Sequence, residues 1–338
     1  MDRIGGLGCQ LELPFTLGEG WGEGAKLAQG ISWSAVVFTY DNVRFIVAFA
    51  LKPSPQPSPR GRGRKDAVLR RMVFERRRKA LLMTRRRFYA PSAAFGPDQK
   101  SVTLSAEETR HAREVLRLQS GDEIFVFDGA GREFRCAIQT INRDSTELSV
   151  MAEVEPARPE SSLNLTLAIA LLKGEKFDLV IQKATELGVK RIVPLDTERA
   201  DVRLRDNDGA NKRLARWRRI ALEAAKQTGR AYVPEIAAPI ALNELLTIEE
   251  TQISTNVTRL MFSERGGRPL AEATNNFAGR PPWIVAVVGP EGGWTDAEIE
   301  LAHDAGWEIV TLGGRTLRAE TAGITVVALL QHRFGDLV

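Results

Sequence analysis

Ile284-Val285-Ala286-Val287-Val288 runs directly into Gly289-Pro290-Glu291-Gly292-Gly293, and this junction indicates the fold class most clearly. The apolar, mostly β-branched run predicts a buried strand, and the glycines after it predict a turn. Thr295 and Glu298 then have the spacing of a capping box, which predicts the start of a helix. Glycines at the carboxyl end of a parallel strand leave backbone groups open, so the turn is either a ligand site or a tight turn without a ligand.

A second glycine-bearing loop follows about twenty residues later in the run Leu312-Gly313-Gly314-Arg315-Thr316-Leu317-Arg318-Ala319-Glu320-Thr321-Ala322. Neither loop has the Lys-Ser/Thr of a phosphate-binding P-loop or the Gly-x-Gly-x-x-Gly of a dinucleotide site. Two such loops from neighbouring strands predict one shared pocket.

Outward from this stretch, apolar strands alternate with helical patterns, which is typical of a parallel sheet covered by helices. The predicted strands are 163–172, 191–195, 259–262, 283–288 and 308–312, and the last helix is predicted at 320–333.

Residues 87–154 have a different pattern of short β segments, which predicts a small barrel. Its strands are predicted at 123–128, 133–141 and 146–154, and Gly129-Ala130-Gly131 indicates a hairpin between the first two. Ser105 and Glu108 form a capping-box pattern that opens a predicted helix to residue 118, and Pro156 and Pro159 mark a linker.

Residues 1–82 differ in composition from the rest of the chain and are expected to be a non-native or disordered extension. They include an apolar run at 31–51, but Asp41 and Arg44 near its centre disfavour a membrane helix. Of the chain's 47 basic and 43 acidic residues, 14 and 7 lie there, which leaves 33 and 36 in the remainder. The net charge of +4 is therefore no sign of RNA binding by the body, which needs a local basic patch.

Cysteine and histidine usage disfavours a metal site. Cys9 and Cys136 are far apart and without ligand spacing, and His111, His303 and His332 show no triad or metal pattern. A reducing, cytoplasmic setting without a membrane or metal partner is expected.

The two glycine loops resemble those of the SPOUT methyltransferases and, more narrowly, of the RsmE family of 16S ribosomal RNA uracil-N3 methyltransferases. Further stretches carry the same resemblance, which covers about residues 83–338: 85–89, 173–178, 182–188, 194–199 and 223–230. The resemblance implies a PUA-like RNA-binding β-barrel at 83–157. It also implies an α/β SPOUT domain at 160–338, with a parallel sheet and a C-terminal trefoil knot.

The same resemblance implies S-adenosylmethionine as cofactor, 16S ribosomal RNA of the small subunit as substrate, and a homodimer. It assigns the cofactor to both glycine loops, at Gly289, Pro290, Glu291, Gly292, Gly293, Leu312, Gly313, Leu317 and Arg318. Two other functions stay open: a related SPOUT enzyme that acts on transfer RNA or a ribose hydroxyl, and a ribosome-associated RNA-binding protein without catalysis.

Methylation at uracil N3 requires removal of the proton on that nitrogen, or a cation that stabilises the resulting oxygen charge. Glu320 and Arg318 are the candidate catalytic residues for these roles, and Glu291 is a third candidate. Each has an alternative role: Arg318 as a cofactor or phosphate contact, Glu320 as a carboxylate at a helix start, and Glu291 as a brace of its loop.

A basic and aromatic segment opens the barrel, with the charge and stacking surface that loop RNA requires. The candidate RNA contacts are Arg85, Arg86, Arg87, Phe88 and Tyr89, together with Arg199 and Arg230. A solvated basic end is the alternative for the first group. The arginines at 213–219 are interpreted as the solvated face of an amphipathic helix.

Overall fold

The computed structural model describes residues 32–40, 43–51, 85–202, 207–247, 257–275 and 283–337 of the chain. The chain divides into two compact units, Met1–Arg76 and Arg77–Val338. In the first unit, strands β1 (Ser32–Tyr40) and β2 (Val43–Leu51) pair antiparallel. The expected extension at 1–82 therefore contains a hairpin, and its boundary at residue 82 lies outside the described residues. Its separation from the functional unit stays a prediction.

The second unit begins with a five-stranded sheet in the order β3-β5-β6-β7-β4. Its strands are β3 (Arg87–Tyr89), β4 (Ser101–Leu104), β5 (Glu123–Phe127), β6 (Glu133–Ile141) and β7 (Thr146–Val154). The β5–β6 hairpin at Gly129-Ala130-Gly131 is confirmed. Register shifts in β6 at Arg135/Cys136 and Ile138/Thr140 act as bulges that bend the strand around an apolar core.

The helix predicted to reach residue 118 is shorter in the structure. Helix α1 (Ala106–Arg110) passes into a π-helical turn, His111–Val115. The Ser105 side chain accepts from the backbone N–H of Glu108 as predicted, but the Glu108 carboxylate accepts from Lys226 Nζ at 2.7 Å. Glu108 therefore ties the barrel to the following domain.

The α/β domain contains an eight-stranded sheet with the main order β10-β9-β8-β14-β12-β15-β13, while β11 pairs with β9. All of its strand pairs are parallel, as predicted. Its strands are β8 (Asn164–Ala170), β9 (Arg191–Asp196), β10 (Glu235–Ile236), β11 (Ile240–Ala241), β12 (Val257–Phe262), β13 (Arg268–Pro269), β14 (Trp283–Val288) and β15 (Glu308–Thr311).

Helices cover this sheet, whose buried apolar residues form two separate clusters. The helices are α2 (Lys176–Glu186), α3 (Asn207–Thr228), α4 (Leu242–Thr247), α5 (Leu270–Ala273), α6 (Asp296–Asp304) and α7 (Ala319–Phe334). Strand β14 is inserted between β8 and β12, which precede it in the chain. This order is consistent with the knot that the resemblance implies.

Charged contacts join the barrel to the α/β domain. The Glu133 side chain is fully buried and accepts from Arg85 Nη1 at 2.8 Å, from Arg87 Nη2 at 3.0 Å and from the backbone N–H of Ala157 at 3.0 Å. Arg87 also donates to the carbonyl of Arg230 at 3.0 Å. The linker is thus held by buried hydrogen bonds.

Within the described ranges, no helix has the length and apolar character needed to cross a membrane.

Candidate active site

One pocket lies where three adjacent strands of the parallel sheet end. Strands β14, β12 and β15 are neighbours, so their carboxyl ends meet at the same edge of the sheet. The pocket has an empty volume of about 520 Å³. It is lined by Phe262, Ser263, Glu264, Val288, Gly289, Pro290, Thr311, Leu312, Gly313, Arg315, Leu317, Ala319 and Ala322. The two glycine loops therefore share one pocket, as predicted, and a third loop after β12 joins them.

The buried Trp294 ring packs against the first glycine loop and holds it in place. The ring is fully buried, and its Nε1–H donates to the carbonyl of Phe262 at 2.8 Å. A Cβ atom at position 289 would lie 2.9 Å from this ring, so only glycine fits between the strand and the indole. Thr295 and Glu298 form the predicted capping box and hold the start of α6. Gly289 and Pro290 are thereby placed against the pocket.

The pocket lining includes Gly289 and Pro290 of this loop but not Glu291, Gly292 or Gly293, whose assignment to the cofactor stays a prediction. A Cβ atom at position 292 would lie 2.9 Å from Arg199 Cβ, and one at position 293 would lie 2.4 Å from Glu264 Oε1. Arg199 itself donates to the carbonyl of Trp294 at 3.1 Å. Gly292 and Gly293 therefore allow the loop to pack on its protein neighbours, and Arg199 braces that loop.

The second glycine loop leaves its backbone open. Apart from the adjacent residues of the loop, no atom of the described residues lies within 4 Å of a Cβ atom built at Gly313 or Gly314. Gly313 has a φ of +119° that other residues rarely adopt. Leu312 and Leu317 add apolar surface to the pocket. A ligand can approach the main chain here without displacing a side chain.

A cluster of charged side chains lies beside the residues that line the pocket. Lys176 Nζ donates to Glu291 Oε1 at 2.9 Å and lies 3.7 Å from Glu320 Oε2. That Glu320 oxygen is buried, and none of the described residues donates a hydrogen bond to it. The Glu320 side chain is 12% exposed. Glu320 therefore has a carboxylate oxygen available for a further donor.

The protonation of this cluster follows from its contacts. The hydrogen bond to Glu291 raises the pKa of Lys176. Burial acts to raise the pKa of Glu291, but the hydrogen bond from Lys176 and backbone hydrogen bonds outweigh it and lower that pKa. The Lys176–Glu291 pair is therefore ionised at neutral pH. Arg318 is the N-cap residue of α7 and is exposed, and it contributes a second positive charge near Lys176.

Sequence reasoning assigned no role to Lys176. The residue lies after β8, which pairs with β14, so its loop comes next to the Gly289–Gly293 loop. Lys176 belongs to a stretch that carried the family resemblance, and the position of that stretch at a strand end was the available signal. Lys176 lies next to Glu320 because of the order of distant strands in the sheet, which local patterns do not encode.

The structure divides the candidate RNA contacts into exposed and buried residues. Arg86 is exposed and Tyr89 is half-buried. The side chain of Arg85 is 14% exposed, and that of Arg87 is 9% exposed. Both pair with the buried Glu133.

Phe88 and Arg230 lie in the interior, which corrects their assignment to RNA. Phe88 is fully buried in the barrel core. Arg230 is 5% exposed and donates to Glu160, to the carbonyl of Thr185 at 2.6 Å and to that of Val189 at 3.1 Å. These side chains stabilise the fold and present no surface to RNA. Among the side chains that the structure describes, no group of three or more His, Cys, Asp or Glu residues is arranged to hold a metal ion.

Known families match both parts of the second unit. The model of the RNA methyltransferase domain matches residues 159–331, and that of the RNA methyltransferase PUA domain matches residues 104–151. The chain is also 35% identical over 262 residues to the ribosomal RNA small subunit methyltransferase E of Synechocystis. That match covers 78% of this chain and 82% of the relative.

Solved structures have the same fold. The ribosomal RNA small subunit methyltransferase E of Neisseria gonorrhoeae, bound to S-adenosyl methionine, superimposes with a TM-score of 0.63 at 34% identity, covering 75% of this chain and all of that one. A putative methyltransferase of Legionella pneumophila in complex with the same cofactor gives a TM-score of 0.64 at 32% identity, covering 75% and 99%. The PUA-like and α/β architecture is therefore confirmed, and the chain belongs to the ribosomal RNA small subunit methyltransferase E family.

Proposed function

We propose that this protein uses S-adenosylmethionine to methylate the N3 position of a specific uridine in 16S ribosomal RNA. The observation that carries the proposal is the pocket at the ends of β14, β12 and β15, with the Lys176–Glu320 cluster beside it. Relatives of the same family have been solved with this cofactor bound. Homodimeric assembly and a cytoplasmic location belong to the same proposal.

The pocket residues fit the cofactor. Open backbone at Gly313 suits hydrogen bonds to polar groups of the cofactor, while Leu312 and Leu317 supply apolar contact. Gly289 and Pro290 form the opposite wall. When bound, S-adenosylmethionine supplies an electrophilic methyl group.

Glu320 is the residue best suited to take the N3 proton. A general base must have a free acceptor atom within hydrogen-bond reach of the proton that it removes. Glu320 Oε2 is buried and accepts no hydrogen bond from the part of the chain that the structure describes, whereas the Glu291 carboxylate already accepts from Lys176 at 2.9 Å. This contrast favours Glu320 over Glu291 as the base.

Lys176 and Arg318 provide positive charge around that carboxylate. Lys176 lies 3.7 Å from Glu320 Oε2 and is held in place by Glu291. It therefore acts as a positioning residue for the Glu320 carboxylate. Arg318, exposed at the start of α7, is suited to stabilise negative charge on a uracil oxygen or to contact a phosphate.

The proposed function is tested by mass spectrometry of nucleosides from ribosomal RNA of cells with and without this gene. We expect N3-methyluridine in 16S ribosomal RNA from cells that carry the gene and its loss from the others. An unchanged nucleoside pattern would contradict the proposal.

The assignment of the cofactor to the pocket predicts that a larger side chain at Ala322 weakens binding. Ala322 lies on α7 and lines the pocket, so Ala322→Leu places extra atoms in the cofactor's volume. Overpacking of this kind costs about 1–3 kcal/mol, or roughly a 5- to 150-fold loss of affinity in calorimetry. Thr321→Leu is the matched control, since Thr321 is exposed on the same helix outside the pocket. Equal affinities of the two variants would exclude this pocket as the cofactor site.

A further inference from the structure

A groove lies between the barrel and helix α3, away from the cofactor pocket. Its barrel wall includes Tyr89, Gly129 and Ala130, and its other wall includes Arg218 and Arg219 of α3. The empty volume of the groove is about 1120 Å³. It is therefore large enough for more than a single small group.

The positive charge of this groove is available to a ligand. Arg218 and Arg219 are both exposed. Arg219 has no hydrogen bond or ion pair with any residue that the structure describes, and Arg218 makes one long hydrogen bond of 3.4 Å, to the carbonyl of Ile236. An arginine pair that is not neutralised within the protein is suited to bind phosphate.

The carboxylates of the groove have their own partners. Asp128 is 4% exposed and accepts from Arg132 Nε at 2.8 Å and from the backbone N–H of Ala130. Glu235 is exposed and lies 3.5 Å from Arg191. The groove therefore keeps a positive balance at Arg218 and Arg219.

Tyr89 adds a flat aromatic surface beside this charge. Its ring packs on Phe127 with a centroid distance of 5.4 Å, and a Cβ atom at position 129 would lie 2.9 Å from it. Glycine at that position thus leaves room for the ring at the groove's edge. An aromatic ring next to free arginines is the combination that binds unpaired nucleotides, since the ring stacks on a base and the arginines hold phosphates.

We propose that this groove binds an unpaired segment of the substrate RNA, with a base stacked on Tyr89 and two phosphates held by Arg218 and Arg219. The inference rests on the proposed function, because it takes ribosomal RNA as the substrate. It also gives the barrel a surface for RNA, although Phe88 is buried in the barrel core and Arg87 pairs with Glu133.

The test measures affinity for transcribed 16S ribosomal RNA as a function of salt concentration. Each phosphate contact to a single strand contributes about 0.7 to the slope of log affinity against log salt. Replacing Arg218 and Arg219 together with alanine should therefore reduce the slope by about 1.4. The matched control replaces Lys212 and Arg213, which carry the same charge on the same helix but do not line the groove.

Two substitutions of Tyr89 test stacking separately from charge. Tyr89→Leu should weaken RNA binding by about 5- to 150-fold with an unchanged salt slope, because a stacked base contributes about 1–3 kcal/mol. Tyr89→Phe keeps the ring and should retain affinity. Unchanged S-adenosylmethionine binding shows that each variant is folded.

Equal slopes in the two double variants, or no difference between Tyr89→Leu and Tyr89→Phe, would overturn this inference while leaving the proposed function in place. Wild-type protein that fails to bind the RNA would overturn both.

Discussion

Glu320→Gln is expected to reduce the single-turnover rate of RNA methylation by about 10²- to 10⁴-fold at saturating cofactor and RNA, because it removes a general base. The amide retains the shape of the side chain, so cofactor affinity should remain near that of the wild type. The rate of the variant should also rise more steeply with pH than the wild-type rate, since uracil must then ionise without help. Rapid quenching of a methyl-transfer reaction with labelled cofactor measures the single-turnover rate and its pH dependence.

Glu291→Gln is the matched control, because both carboxylates lie beside Lys176. Glu291 is exposed, and an exposed ion pair contributes about 0.2–1 kcal/mol, so the rate of this variant should stay within about fivefold of the wild type. Arg318→Ala tests the remaining candidate, and a phosphate contact would lower its RNA affinity more than its single-turnover rate. Wild-type rates in Glu320→Gln, or a larger loss in Glu291→Gln, would contradict the assignment of the base.

Glu133→Ala is expected to lower the free energy of unfolding by about 3–5 kcal/mol, because it leaves buried cations without their partner. The Glu133 carboxylate is fully buried and accepts from Arg85, Arg87 and the backbone N–H of Ala157. Its loss removes contacts at the linker as well as in the barrel. Urea unfolding followed by circular dichroism measures the change.

A surface ion pair of the same barrel provides the comparison. Glu123 lies 3.7 Å from Arg135, and both side chains are about half exposed. Glu123→Ala should therefore cost about 0–1 kcal/mol. If Glu133→Ala cost no more than this variant, the buried carboxylate would not be what holds the linker.

Local sequence patterns predicted the elements around the pocket well. The strand at 283–288, the capping box of Thr295 and the glycine loops each depend on neighbouring residues, so their structure follows from spacing and backbone preference. That two loops share a pocket followed from the rule that parallel strands end at one edge. The third loop, at Phe262 and Glu264, was missed because nothing local places β12 between β14 and β15.

Contacts between distant residues were beyond local patterns. Phe88 was predicted to contact RNA because it stands beside arginines in a basic and aromatic segment, and Arg230 because it lies in a stretch that carries the family resemblance. Phe88 instead joins the barrel core. Arg230 is buried through its pairing with Glu160. Lys176 was missed for the same reason, since its partners Glu291 and Glu320 lie in a distant loop and in the distant helix α7. A residue's burial and partner decide its role, and both depend on tertiary structure.

The most direct test of the proposed activity combines purified protein, small ribosomal subunits that lack the modification, and S-adenosylmethionine with an isotopically labelled methyl group. Digestion of the 16S ribosomal RNA to nucleosides, followed by mass spectrometry, identifies the labelled position. The proposed activity predicts the label on N3 of uridine and its near absence with Glu320→Gln. Label on a ribose or another base, or no label with the wild-type protein, would contradict it.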